Sequence, residues 1–160
     1  NQVFQDVADT APDTPNSRID GISEAARDTM RVLWTEAKLD EKLSVLDKYQ
    51  LALTCIGKPR FSSGRDPFQS GDLLIKLRNK LVHFKPEWHD HANEHKFEKH
   101  LKGRFADCQL PGDPWFPNKC LGAGCASWAC NTAVALADDW WSQLGLSFDY
   151  RADLESWGRP

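Results

Sequence analysis

A chain of 160 residues, 41% apolar and 27% charged, is long enough for one domain with a real core and too short for two comfortable ones, which excludes most multidomain enzymes. Twenty Lys and Arg against twenty-three Asp and Glu give a net charge of −3, which excludes attraction of the whole surface to nucleic acid or acidic membranes, so any polyanion site must be local. Five cysteines, an odd and sparse set, exclude a disulfide-stapled secreted scaffold.

Reduced thiols and a cytoplasmic protein are therefore expected, and the first residues show no charged segment followed by an apolar one. The chain begins at Asn1 rather than Met, which is compatible with a processed or trimmed start. Residues 1–16, with Pro12 and Pro15 among Asp, Thr and Ala, have no apolar period and read as a flexible N-terminal arm. From Asp20 on, Ile22, Ala26, Thr29, Leu33 and Ala37 recur at helical steps, with Met30 and Trp34 widening the stripe. Asp40 is the candidate cap of a second helix on the stripe Leu43, Leu46, Tyr49, Leu53 and Ile56, stopped by Gly57 and Pro59. A loop over residues 58–69 leads to Ser70, the candidate cap of a third helix that must end by Lys85, because Pro86 follows. A fourth, polar helix is expected from Asn93 to Arg104, resting on Phe97, Leu101 and Phe105. Asn118 is the candidate start of a long last helix to Leu144, closed by Gly145, whose small residues Gly122, Ala123, Gly124, Cys125 and Ala126 admit close neighbours. Its apolar run is broken by Ser127, Asn131 and Thr132, so it is expected to be buried in protein and not to cross a membrane. The predicted fold is an all-α bundle of about five helices over residues 17–147, followed by a C-terminal tail, 148–160.

Charge is distributed unevenly along this chain. Residues 70–105 carry eight Lys and Arg against five Asp and Glu, and all five histidines, whereas the flanking segments are acidic. Within that window, helical geometry groups Leu73, Leu74, Leu77, Leu81 and Phe84 on one arc, and Asp72, Lys76, Asn79 and His83 on the other. Arg78 falls inside the broad apolar arc, a costly place for a cation unless a carboxylate, an interface or an anionic ligand receives it. Pairing of Arg78 with an acid of another helix, and a helix-capping role for His83, remain open alternatives on the residues alone.

The string Arg78-Asn79-Lys80-Leu81-Val82-His83 resembles the R-x-x-x-x-H signature, with a polar residue directly after the Arg, of the HEPN superfamily (higher eukaryotes and prokaryotes nucleotide-binding domains). The resemblance implies a four- to five-helix, often homodimeric bundle, and for many members a metal-independent endoribonuclease acting as a toxin or phage-defence effector. It also implies RNA as the substrate and an antitoxin or regulatory protein as a further partner. The likeness is firm over residues 70–87 and follows the helix order over 20–145. Where nucleotidyltransferase-paired toxins of the family often carry a Tyr, two positions after the His, this chain has Lys85, so regulation through such a Tyr is not expected.

The residue chemistry agrees with that implication. Histidine, whose ordinary titration range lies near neutrality, makes His83 the candidate general acid or base, and the planar fork of Arg78 suits a phosphate in transition. Asn79 would orient the imidazole or bind a phosphate or sugar oxygen, and Lys76, Lys80 and Lys85 are candidate phosphate contacts. Arg78 and His83 lie about 140° apart around a helix and ~7.5 Å along it, so two copies side by side would be needed to gather one cleft. No cofactor and no metal are expected: His89, His91 and His95 include one i, i+4 pair but lack a partner at a diagnostic offset, and Cys120, Cys125 and Cys130 rotate apart as small buried thiols. Gly122-Ala123-Gly124 follows no strand and is not read as a dinucleotide loop. The competing readings are a non-catalytic HEPN-like module binding a nucleotide or a protein, and a purely structural helical interaction domain.

Overall fold

The computed structural model describes residues 2–83, 95–108 and 112–152. In chain order the helices are α1 (Gln2–Asp9), α2 (Glu24–Thr35), α3 (Leu39–Lys42), α4 (Val45–Cys55), α5 (Phe68–Val82), α6 (Lys96–Leu101) and α7 (Ala123–Leu144), with a wide irregular turn over Trp115–Lys119. No strand occurs among the described residues, in agreement with the expected all-α class. The chain divides into two compact units, one of Asn1–Phe61 with Asp139–Pro160 and one of Ser62–Asp138.

In the first unit, the segment expected as a loose arm carries α1. Val3, Phe4 and Val7 fall on one helical face and are at most 1% exposed, and the Phe4 ring stacks on Trp34 at 5.4 Å. A single turn and a half of apolar period between polar neighbours is too short to stand out in sequence, and only burial against α2 makes it a helix of consequence. In α2, capped by Ser23 on the Ala26 N–H, the buried line is Ile22, Ala26 and Met30; Thr29, assigned to the stripe, is exposed and bonds back to the Ala25 carbonyl. The expected second helix is interrupted at Leu43, which is extended (φ −95°, ψ 143°), so that Ser44 and not Asp40 caps α4 through the Asp47 N–H at 3.2 Å. Gly57, in the left-handed region at φ 71°, follows the end of α4 as expected. Gln50 is buried and paired at both ends of its amide, which donates to the Phe61 carbonyl (3.0 Å) and accepts from the Phe61 N–H (2.8 Å), anchoring the segment after α4. The end of α7 closes this core with Trp140 and Leu144. Phe148 and Tyr150, in the expected tail, lie against the Trp141 ring at 6.3 and 5.2 Å, so the start of that tail is packed.

In the second unit, α5 begins two residues before the expected cap. Ser70 sits inside its first turn, and the Asp66 carboxylate receives both the Ser70 N–H (3.1 Å) and its hydroxyl (2.6 Å). α6 is shorter than expected and is capped by His95, whose Nδ1 accepts from the Phe97 N–H. Leu77, Phe97, Leu101, Trp115, Phe116, Cys120 and Cys125 form the core. The chain turns at Phe116, which is extended (φ −109°, ψ 132°), so α7 starts at Ala123 and not at Asn118. The small residues at that start admit the expected close neighbour, which is the segment after α6 and not another helix. A Cβ on Gly124 would lie 2.3 Å from the Ala106 carbonyl oxygen, and one on Gly71 would lie 2.7 Å from Leu136 of α7. Because the Ala106 contact is backbone, Gly124→Ala is expected to destabilise the protein by about 1–3 kcal/mol in urea titration. Gly64→Ala, where nothing lies within 4 Å, should be near neutral and serves as the control. Among the described residues no helix is long and apolar enough to cross a membrane.

Candidate nucleic-acid interface

The second half of α5 presents the candidate residues on three sides. Arg78 is exposed, where the helical arc predicted an enclosed guanidinium. Its stem borders an apolar cleft of about 490 Å³ between α5 and α7, lined by Leu74, Leu77, Leu81 and Val82 on one side and Leu121 and Cys125 on the other. The exposed guanidinium donates Nη1 to Asn79 Oδ1 at 3.0 Å, and a long cation can lay its methylenes on apolar surface while its charge stays in water. The cleft is open: Val82 is 59% and Leu121 43% exposed.

Asn79 also faces the other way, into a cavity of about 550 Å³ between α5 and α6. Lys76 and Lys80 of α5 and Lys96 and His100 of α6 ring it, over an apolar floor of Leu73 and Phe97. Lys76 Nζ meets Asp72 at 2.6 Å, a partly exposed i, i+4 pair of a kind worth well under ~1 kcal/mol, so an incoming phosphate can take the lysine over. Lys96 Nζ lies 5.7 Å from the Phe97 ring centre, and His100 Nδ1 lies 2.6 Å from the Lys96 carbonyl oxygen. The expected phosphate contacts Lys76 and Lys80 are thus joined by two residues not singled out in the sequence, Lys96 and His100. Their i, i+4 spacing inside the basic window was the signal for them.

His83 ends α5 at φ −105°, ψ 36°, with its backbone N–H on the Asn79 carbonyl and its side chain exposed. It lines neither cavity. Within one chain, then, Asn79 is joined to Arg78 and to the lysines, while Arg78 and His83 are not gathered at one point. Lys85, and the ring of Phe84, lie outside the described residues.

Among the described residues no group of three His, Cys, Asp or Glu is arranged to hold a metal ion. His89 and His91 lie outside them, and the ring of His95 is stacked on Phe116 at 4.6 Å. Cys120 and Cys125 are buried as expected, but they interact instead of rotating apart, because Cys120 precedes α7. Burial pushes the Cys120 thiol up to about 12, with the charge and hydrogen bond of Cys125 and then the charge of Asp107 acting the same way. Such a thiol stays protonated and inert near neutrality. Cys130 is exposed, against the expectation of a buried thiol. No protein-family model, no curated protein and no solved structure matches this chain.

Proposed function

We propose that this chain is a metal-independent endoribonuclease of the HEPN type that works as a homodimer. The observation that carries the reading is Asn79, which links the exposed Arg78 guanidinium to a cavity ringed by Lys76, Lys80, Lys96 and His100, one turn before the exposed His83. A ring of three lysines and a histidine over an apolar floor suits a phosphodiester with its sugar or base on the floor. A second copy is assigned to the open cleft beside Arg78, where it would cover Val82 and Leu121 and bring a second Arg78 and His83 to the first pair.

In the proposed reaction a ribose 2′-hydroxyl attacks the adjacent phosphorus. One His83 takes the hydroxyl proton as the O2′–P bond forms and the P–O5′ bond breaks, and the other His83 gives a proton to the departing 5′-oxygen. Arg78 holds the phosphate oxygens as their charge grows. The products are a 2′,3′-cyclic phosphate and a 5′-hydroxyl end, with no oxidant or cofactor required. The setting such an enzyme fits is that of a toxin or phage-defence effector, held in check by an antitoxin or regulatory protein.

The test is incubation of the purified chain with mixed-sequence RNA in EDTA. Cleavage is expected to persist in EDTA and to fall by about 10²–10³-fold in Arg78→Ala, with Arg78→Lys recovering part of the loss at most. Cleavage that EDTA abolishes, or that Arg78→Ala leaves intact, would overturn the reading. A binding-only module is the second reading, favoured by the fact that the basic cavity is complete in one chain while Arg78 opens onto the other cleft. RNA binding by an intact dimer without cleavage would decide for it.

A further inference from the structure

The seam between α5 and α6 continues past the lysines toward the N-terminal end of α5. Ser70, Leu73, Lys76 and Lys80 follow one another on α5 at steps of three and four, forming one stripe, and Asp66, just before the helix, is bonded to its first member. Arg104, one turn beyond His100, is held across this stripe: its Nε donates to the His100 carbonyl at 2.8 Å and its Nη1 to Ser70 Oγ at 3.1 Å. Ser70 in turn donates to Asp66. The arginine is thereby fixed by two of its five N–H donors, and Arg104 lines a second cavity, of about 520 Å³.

The far wall of this cavity is α7, which contributes Ser127, Trp128, Asn131 and Thr132. Phe105 stands beside Trp128, with ring centres 5.6 Å apart and planes tilted by 41°. The volume lies in the range of small-molecule sites, about 300–1,000 Å³. An aromatic wall next to an amide, three hydroxyls (Ser70, Ser127 and Thr132), a guanidinium and the Asp66 carboxylate is matched by a flat heteroaromatic ring whose edge carries both donors and acceptors. An alkyl chain would leave those polar groups unanswered, and one carboxylate is too few for a cation site. A nucleobase fits each part: its face stacks on an aromatic ring, and its edge meets Asn131, Ser127 and Thr132.

We propose that this cavity receives one unstacked base of a single RNA strand, whose following phosphates pass Arg104, Lys76 and Lys80 toward His83. From Ser70 to His83 the stripe covers about 20 Å of helix, so the base that is read is displaced from the bond that is cut. The strand's direction rests on the ribonuclease reading; the base pocket does not.

The test titrates the full chain, by calorimetry, with the four nucleoside 5′-monophosphates, with ribose 5-phosphate, and with short single-stranded RNA of the preferred base. At least one nucleotide is expected to bind roughly tenfold or more tightly than ribose 5-phosphate. Trp128→Leu and Asn131→Leu should remove that margin and leave ribose 5-phosphate binding as it was; Asn131 is exposed, so its variant keeps the fold even if the Trp128 variant does not. The oligonucleotide should bind more tightly still, and Lys76→Ala with Lys80→Ala should erase this surplus alone. The proposal is overturned if no nucleotide shows the margin, if the margin survives Asn131→Leu in a folded protein, or if the oligonucleotide shows no surplus. Absence of RNA cleavage with the margin and surplus intact would remove the catalytic reading and leave the base pocket standing.

Discussion

His83→Ala is expected to lower the rate of RNA cleavage in EDTA by about 10²–10⁴-fold, the range lost with a general acid or base, while the protein stays folded. The separation of the two effects follows from where His83 sits. Its structural work is done by the backbone, whose N–H bonds to the Asn79 carbonyl, in a conformation at φ −105°, ψ 36° that alanine also adopts. The imidazole itself is exposed, so removing it should change stability little, as surface substitutions do. His83→Gln keeps the polarity and approximate size but cannot transfer the proton, and it should be as inactive as the alanine variant. The measurement is the initial rate on a fluorophore-quenched RNA beside a urea unfolding curve for each variant. Cleavage within about threefold of the parent in folded His83→Ala would remove proton transfer by this residue from the mechanism.

The largest stability effect is expected from Trp140→Ala, at about 3–5 kcal/mol. Trp140 is 4% exposed, its ring centre lies 4.6 Å from that of Tyr49, and its Nε1 donates to the Tyr49 carbonyl at 3.0 Å. The substitution leaves a cavity among Tyr49, Leu53 and Leu144 and takes a donor from the part-buried Tyr49 carbonyl. Against an ordinary total of about 5–15 kcal/mol, a loss of that size lowers the urea midpoint steeply. Trp140→Phe retains most of the apolar surface and forgoes the hydrogen bond, so it should cost less than half as much. A measured cost below about 1 kcal/mol for the alanine variant would show that this core is not packed as described.

Signals that act within a turn of their own residue were legible in the sequence. Of the stripe Leu43, Leu46, Tyr49, Leu53 and Ile56, the last three do pack in the first core and Leu46 is buried, whereas Leu43 lies at the break before α4; Gly57 and Gly145 do stand at the ends of α4 and α7 in left-handed conformations. The third long helix, with Arg78 and Asn79 in its second half and His83 as its C-cap, was legible for the same reason. Caps were read less well. Asp40, Ser70 and Asn118 are all good capping residues, yet Ser44 and Asp66 bind the free N–H groups of α4 and α5, and α7 begins at Ala123. Several candidates of similar intrinsic preference compete at each start, and a difference of a few tenths of a kcal/mol between them is smaller than what packing imposes.

Composition and periodicity by themselves determined the helical class, the basic middle of an acidic chain, and which residues are candidates for a phosphate site. Those properties belong to neighbours in sequence, and hydrophobic period and local charge report on nothing farther away. Tertiary structure alone decided that Val3, Phe4 and Val7 are buried, that Arg78 is exposed with its stem on an apolar cleft, and that Lys96 and His100 complete a ring with Lys76 and Lys80. It alone joined Arg104 to Ser70 across 34 positions and set Trp128 beside Phe105. Such pairings depend on which helix packs against which, and that is fixed by the fit of whole apolar faces in each core and not by any one residue's preference.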